Sequence, residues 1–369
     1  MSSEKTPLYS VIYNDIANKI KKGELKAGDK LPTEHELMET YQVSRITVNR
    51  AMNDLAAKNM IVRKRKTGSY VQNIHSDAEK PKAVIACVVS VDSHYLGNLI
   101  DGMQYAAQKH NFIINTYCSN RNPDNEHKIL EKLIDDNIDG LICQSTESYE
   151  NIGLFLQLKL RNIPIVAIDH PISCISVPVI SSNHCKAGYD VTKYLIDKGH
   201  KRIAFATYSL ASNYGEQERI RGYMEAMKEY RIDFNPNYIA VLDSNTVHNM
   251  MAEEDATRED LACSMLTKLV ALDEPPTALI CVHDMLAALL LNQALQVGIS
   301  VPKQLSIVGF DNMYYCDLLQ VPLSSVAQDF FSIGNSAVEQ IWNLKEKNDV
   351  EPFTYLPCAI IDRKSIETI

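Results

Sequence analysis

From residue 83 onward, short apolar runs recur with helix-length amphipathic stretches between them, and this alternation most restricts the folds open to the chain. The runs are AVIACVV (83–89), FIINTY (112–117), GLIC (140–143), PIVAID (164–169), RIAFAT (202–207), TALICV (277–282) and LSIVGF (305–310). They are too short for helices and too uniformly apolar for strands with one wet face, so they read as strands buried on both sides. Segments 97–110, 125–137, 187–198, 218–230 and 284–297 lie between them with helical length and spacing. Alternating strands and helices imply parallel sheets with helices on both faces. Single cores stop growing at about 250–300 residues, so nearly 290 residues of this pattern (83–369) is expected to split into two lobes. Ligands of such sheets bind in the crevice outside the carboxyl ends of the strands.

Residues 1–73 read differently. Ile12, Ile16 and Ile20 recur every four residues over a first helix, and Gly23 stops it. After a turn at Gly28-Asp29, Thr33 and Glu36 have the spacing of a capping box that opens a second helix, running to about Tyr41. Ser44 is placed to cap a third helix reaching Lys58, with Val48, Ala51, Met52 and Leu55 on its inward stripe. Asn49, Arg50 and Asn53 then face outward, and Arg45 and Thr47 stand at the exposed first turn. This is a helix-turn-helix, whose last helix enters the major groove with its N-terminal residues at the base edges. Arg45 suits base reading because its planar guanidinium can donate two hydrogen bonds to a guanine. Residues 60–71 read as a β-hairpin, or wing, with a basic tip holding Lys64 and Lys66.

The charge distribution agrees with this division. Residues 1–74 carry thirteen Lys/Arg against eight Asp/Glu, a balance of +5, whereas 75–369 carry 24 against 38, a balance of −14. Only the basic head is expected to approach a polyanion. No apolar run approaches the roughly 18 residues of a membrane span, and the N-terminal stretch lacks the apolar core of a secretory signal, so a cytoplasmic location is expected. The nine cysteines form an odd set without CxxC and are expected to be reduced thiols. The chain shows no G-x-S-x-G elbow, P-loop, G-x-G-x-x-G or H-E-x-x-H, and no histidines with metal-ligand spacing. Neither catalysis, a cofactor nor a metal is therefore expected. An aminotransferase-like fusion enzyme and an exported solute-binding protein remain the rivals, opposed by the absent lysine context and by the basic head.

Two resemblances sharpen these expectations. The stretch from PLYSVIY to GSYV, with its I-x-x-G-x-L-x-x-G-D-K-L-P-[ST]-E, V-S-R-x-T-V and G-[ST]-[FY]-V motifs, resembles the DNA-binding domain of the GntR family. That resemblance implies base contact from Arg45 and DNA contact from Gly68 and Ser69; with the helix-turn-helix and basic wing, the expected DNA-facing set also holds Thr33, Glu34, Ser44, Thr47, Asn49, Arg50, Lys64 and Lys66, Thr33 and Ser44 serving first as helix caps. His35 and Asn49 depart from the arginines usual in the family. The segments GHKRIAF, RIRGYMEAM, VPKQLSIVGFDN and PLSSVAQDFFSIG are similar to the effector domain of the LacI/GalR family. The implied architecture is α/β: a winged helix-turn-helix (1–73), a linker (74–82) and a two-lobed periplasmic-binding-protein-like (type I) domain with parallel sheets (83–369). That body is expected to dimerise and to bind a small sugar through Arg219, Asp284 and Phe330, with Asn183 and Tyr95 as further candidates. Asp accepts from vicinal hydroxyls, Arg donates in a fixed fork, and an aromatic face covers the C–H side of a ring. L-arabinose is the first effector the resemblance implies; other pentoses, hexoses and sugar phosphates stay open. So does the choice between a repressor released from its operator and an effector-dependent activator.

Overall fold

Pro7 sets the entry to helix α1 (Leu8–Lys21), which buries Ile12 and Ile16. The computed structural model describes residues 7–26, 28–58, 60–64, 68–71, 83–90, 96–146, 149–173, 175–208, 214–241 and 256–369, without the side chains of 21, 57 and 256–261. The chain divides into two units, 1–82 and 83–369, each with its own core. In the first, Thr33 caps α2 (Glu34–Tyr41): its hydroxyl accepts from the Glu36 N–H at 3.3 Å while the Glu36 carboxylate accepts from the Thr33 N–H at 2.7 Å. Gln42, at φ 50°, ends that helix, and Ser44 caps α3 (Arg45–Ala57). Val48, Ala51 and Leu55 of α3 meet Ile12 in a fully buried core. Strands β1 (Ile61–Lys64) and β2 (Gly68–Val71) pair antiparallel, and Lys30 adds a bridge to Tyr70. Gly68 sits at φ +116°, where a Cβ would also come within 2.9 Å of Lys30 Cε. Only glycine fits that start of the returning strand.

The second unit contains two six-stranded sheets. Strands β3 (Ala83–Val89), β4 (Phe112–Cys118), β5 (Gly140–Cys143), β6 (Ile165–Ile168) and β7 (Val179–Ser182) form the first, with a later strand β13 (Phe353–Leu356), in the order β13-β7-β6-β5-β3-β4, all parallel. Strands β8 (Ile203–Thr207), β9 (Ile239–Val241), β10 (Ala278–Cys281), β11 (Ser306–Phe310) and β12 (Ser324–Ala327) form the second, closed by an antiparallel β14 (Ala359–Ile361), in the order β14-β12-β11-β10-β8-β9. Central strands such as β5, β6 and β10 are buried along their whole length, as sheets covered by helices on both faces require. Helices α4 (Leu96–His110), α5 (Pro123–Asp135) and α6 (Ile152–Leu160) serve the first lobe. The second lobe is covered by α7 (His184–Asp197), α8 (Tyr214–Glu229), α9 (Ala256–Val270) and α10 (Asp284–Gln296).

The chain passes between lobes three times: at Asn183 after β7, at Gln328-Asp329 after β12, and at Pro357-Cys358 between β13 and β14. The second passage returns α11 (Phe330–Lys345) to the first lobe, where Ile333, Ala337 and Ile341 join its core. Helices α7 and α8 approach closely because Gly188 and Gly222 face each other's backbones: a Cβ on Gly188 would stand 2.1 Å from the Arg219 carbonyl oxygen. That approach seats Arg219 of α8 beside His184 of α7.

Candidate DNA-facing surface and effector crevice

On the first unit, Glu34 organises the cations. Its carboxylate accepts from Arg45 Nε at 3.0 Å, from an Arg63 guanidinium nitrogen at 2.5 Å and from Asn49 Nδ2 at 3.3 Å. Arg63 also donates to Asn53 Oδ1 at 2.6 Å and Asn49 Oδ1 at 2.9 Å. The Arg45 side chain remains 74% exposed, and an ion pair that open to water is worth little, so a polyanion can take Arg45 from Glu34 at small cost. Ser44 and Thr33 use their hydroxyls to accept from backbone N–H groups as helix caps. Thr47 lies 3.0 Å from Ser44, hydroxyl to hydroxyl. Arg50 lays its guanidinium over the Tyr9 ring at 3.9 Å, on the side of α1, and Lys64 stands 5.3 Å from the Tyr70 ring centre. Gly68 and Ser69 open β2, and the Ser69 carbonyl accepts from Leu31 N at 2.9 Å. Lys66 lies outside the described residues. The sequence reading counted Arg63 only as part of the basic run. The structure puts it on β1 opposite Ser69, one pair from the turn, with its guanidinium against the outward face of α3.

The second unit brings the carboxyl ends of both sheets to one polar chain. Gln144, just after β5, donates to Asp169 Oδ2 at 3.1 Å; Asp169, just after β6, meets His184 Nε2 through Oδ1 at 3.1 Å. His184 Nδ1 accepts from Arg219 Nε at 3.3 Å, so the imidazole proton belongs on Nε2, where it is donated to Asp169. Burial alone would raise the Asp169 pKa, yet hydrogen bonds from His170 and His184 hold it well below the usual carboxylate range. The Arg219 side chain is only 9% exposed. It donates to the Val282 carbonyl, lies 4.5 Å from the Phe310 ring centre and comes within 3.6 Å of Asp311 Oδ1. Gln328 Nε2 donates to the same Asp311 oxygen at 2.6 Å. His283 caps α10 through Nδ1 and packs 4.8 Å from Tyr208. Burial lowers its pKa, against the pull of Asp311 and Glu216, so it stays neutral with a donor on Nε2. Two carboxylates, an arginine fork, two neutral imidazoles and two amides thus converge where the sheets end.

Of the residues expected at this site, Arg219 stands in the middle of the chain of contacts. Asn183 sits at the first passage between lobes, with Oδ1 accepting from Lys186 N at 3.0 Å as the cap of α7. Phe330 begins α11 and packs partly against the first lobe's core. Tyr95 lies outside the described residues. Asp284 is a correction. It is wholly buried and committed to Met313 N, Cys316 Sγ and Ser325 Oγ; burial pushes its pKa up to about 7. It is not a helix cap either, since His283 caps α10. The carboxylate beside Arg219 is Asp311, which the sequence reading passed over together with Gln144, Asp169, His184, His283 and Gln328.

Residues 8–71 match the family described as bacterial regulatory proteins, gntR family, and residues 192–366 match the periplasmic binding protein-like domain. The arabinose metabolism transcriptional repressor of Geobacillus stearothermophilus is 28% identical over 357 residues, spanning 95% of this chain and 94% of that one. The protein of the same name from Halalkalibacterium halodurans is 27% identical over 90% of this chain and 88% of its own length. The crystal structure of a transcription regulator from Lactobacillus plantarum superposes with a TM-score of 0.63 at 27% identity, covering 77% of this chain and 100% of that one.

Proposed function

For this transcription regulator, which joins a gntR-family DNA-binding region to a periplasmic-binding-protein-like body and is not an enzyme, we propose the role of a repressor that leaves its operator when a neutral sugar enters the crevice. The observation that carries the reading is the Asp169–His184–Arg219–Asp311 chain across the two sheet ends. Carboxylates accept from paired hydroxyls, the guanidinium and imidazoles donate to them, and Tyr208 provides a ring face nearby. Two carboxylates oppose a phosphate in the same space, so an unphosphorylated sugar fits better than a sugar phosphate. L-arabinose is the first candidate, because the relatives similar along nearly the whole chain are named arabinose metabolism repressors.

We assign residues 1–73 to operator binding, 74–82 to a linker and 83–369 to effector binding and dimerisation, in the cytoplasm. The base-facing set is Arg45 with Thr47, Asn49 and Arg63, held by Glu34; Lys64, Lys66, Gly68 and Ser69 belong to a wing on the DNA backbone. A thermal-shift screen of monosaccharides, followed by operator retardation with and without each hit, tests the assignment. A sugar at one hundred times its dissociation constant should add about 2.7 kcal/mol to the stability of the body and release the DNA. If no monosaccharide stabilises the protein, the sugar reading fails; if the stabilising sugar tightens operator binding, the molecule is an effector-dependent activator of binding and the release mechanism fails.

A further inference from the structure

Asp311 would be a poor recognition group if its backbone wandered, and its backbone is strained. Asp311 and Asn312 are consecutive non-glycine residues at positive φ, 99° and 51°. Such a pair persists only where the surroundings over-determine it. What holds it is a buried cluster of hydrogen bonds. The Asn312 N–H donates to Ser325 Oγ at 3.0 Å, and that hydroxyl donates to Asp284 Oδ1 at 2.6 Å. The Met313 N–H donates to Asp284 Oδ2 at 2.7 Å, and the Cys316 thiol reaches the same oxygen at 3.2 Å. One buried carboxylate therefore ties together the start of α10, the strand β12 and three points of the turn that follows Asp311. Room for it comes from Gly309 of β11, where a Cβ would stand 2.2 Å from Asp284 Oδ1.

We propose that Asp284 is the positioning residue of the effector site: it does not touch the effector but fixes the strained turn that presents Asp311. The proposal rests on the crevice reading for its functional consequence and on the geometry of the turn for its structural one. Ser325 and Cys316 can each donate or accept, so the cluster keeps its connections whether or not Asp284 carries a proton, while Met313 N always needs the carbonyl-like oxygen. The clamp thus depends on an acceptor at this position and not on its charge. An isosteric amide should preserve it, and an isosteric hydrocarbon should release it.

The test compares Asp284→Asn, Asp284→Leu, Ser325→Ala and Asp311→Ala in the full chain. Amide hydrogen exchange in the effector-free protein should show residues 311–317 opening in Asp284→Leu and Ser325→Ala, with β8 and β10 protected as in the parent and Asp284→Asn close to it. Titration with L-arabinose, D-ribose, D-xylose and D-galactose gives the functional arm. A sugar that binds the parent should lose about tenfold or more in affinity in Asp284→Leu, and Asp284→Leu should add nothing once Asp311 is alanine. Additive losses, or an unchanged exchange of 311–317 in both Asp284→Leu and Ser325→Ala, would overturn the proposal. Should Asp284→Leu fail to fold, Ser325→Ala carries both arms alone. If none of the four sugars binds the parent, the sugar reading is what fails, and the exchange pattern still decides the role of Asp284.

Discussion

Arg219→Met is the substitution with the largest expected consequence in the body. Methionine keeps the length and the packing on Phe310 but removes every donor. The Val282 carbonyl and His184 Nδ1, both supplied by Arg219, would be left unsatisfied, at about 1–3 kcal/mol each. Asp311 would keep its hydrogen bond from Gln328 and lose its cation. The body should therefore be destabilised by about 2–5 kcal/mol, which for a domain of this size lowers the melting temperature by roughly 5–15 °C. The effect on the effector is larger. Two charge-assisted hydrogen bonds to hydroxyls, at about 1.5–3 kcal/mol each, correspond to at least about a hundredfold in affinity. Arg219→Lys should recover the charge but not the fork, and so should rescue stability better than affinity. Scanning fluorimetry reads the first quantity and isothermal titration with the sugar found in the screen reads the second. Effector-free operator affinity should stay at the parent level, since the substitution lies outside the DNA-binding region. An Arg219→Met protein that binds the sugar within threefold of the parent would show that the guanidinium is structural only, and the crevice reading would fail.

Two further outcomes follow from the same geometry. Arg45→Ala should reduce discrimination between operator and non-operator DNA by about 1–3 kcal/mol, whereas Lys64→Ala should weaken both alike and lower the salt slope by about one; equal losses on both DNAs for Arg45→Ala would remove it from base reading. Asp169 is held below the usual carboxylate range, so its hydrogen bonds stabilise the fold above that range and the contribution is lost as pH falls through it. Melting temperatures between about pH 3 and 5 should fall less steeply in Asp169→Asn than in the parent, and parallel curves would count against the Asp169–His184 pairing as an ionised contact.

How much of this was legible in the sequence depended on which physical signal each element carried. The three helices of the head lie within a residue or two of their expected ends because caps and stops announce them: Thr33, Ser44 and Gly23. Fully buried strands such as β5 and β10 were legible as apolar runs. Strands β12 (SSVA) and β13 (FTYL) were not, the first because its buried serines look like loop, the second because it is a half-exposed edge. Helix α6 (IGLFLQLKL) is apolar on nearly every side and so carries no period to read. In the candidate site, the RIRGYMEAM segment points to Arg219, whereas the family resemblance singles out Asp284 and gives no signal for its neighbour His283. Beyond the end of β10, the first polar side chain packs towards Tyr208 and the second turns into the core. The rule that ligands gather at strand carboxyl ends was in hand. Applied to the residues that end or follow the apolar runs, it points to Gln144, Asp169, His283 and Asp311.

The position of the polar chain also bears on how the effector could act at a distance. Asp169 belongs to the first lobe, Arg219 and Asp311 to the second, and His184 stands at the passage that joins them. A ligand shifts a two-state equilibrium only by the difference in its affinity for the two states. A sugar bound to Asp311 alone would have no such difference, because Asp311 is fixed to its own lobe by the Ser325–Asp284 clamp. A sugar that also engages Asp169 must favour one separation of the lobes over others, since its hydroxyls have fixed spacing. In the proposed mechanism the groups that give affinity and the group that gives response are therefore different: Arg219 and Asp311 hold the effector, and Asp169 converts its presence into a preferred closure. A coupling of about 1–3 kcal/mol from that first-lobe contact suffices to change operator affinity roughly 5–150-fold.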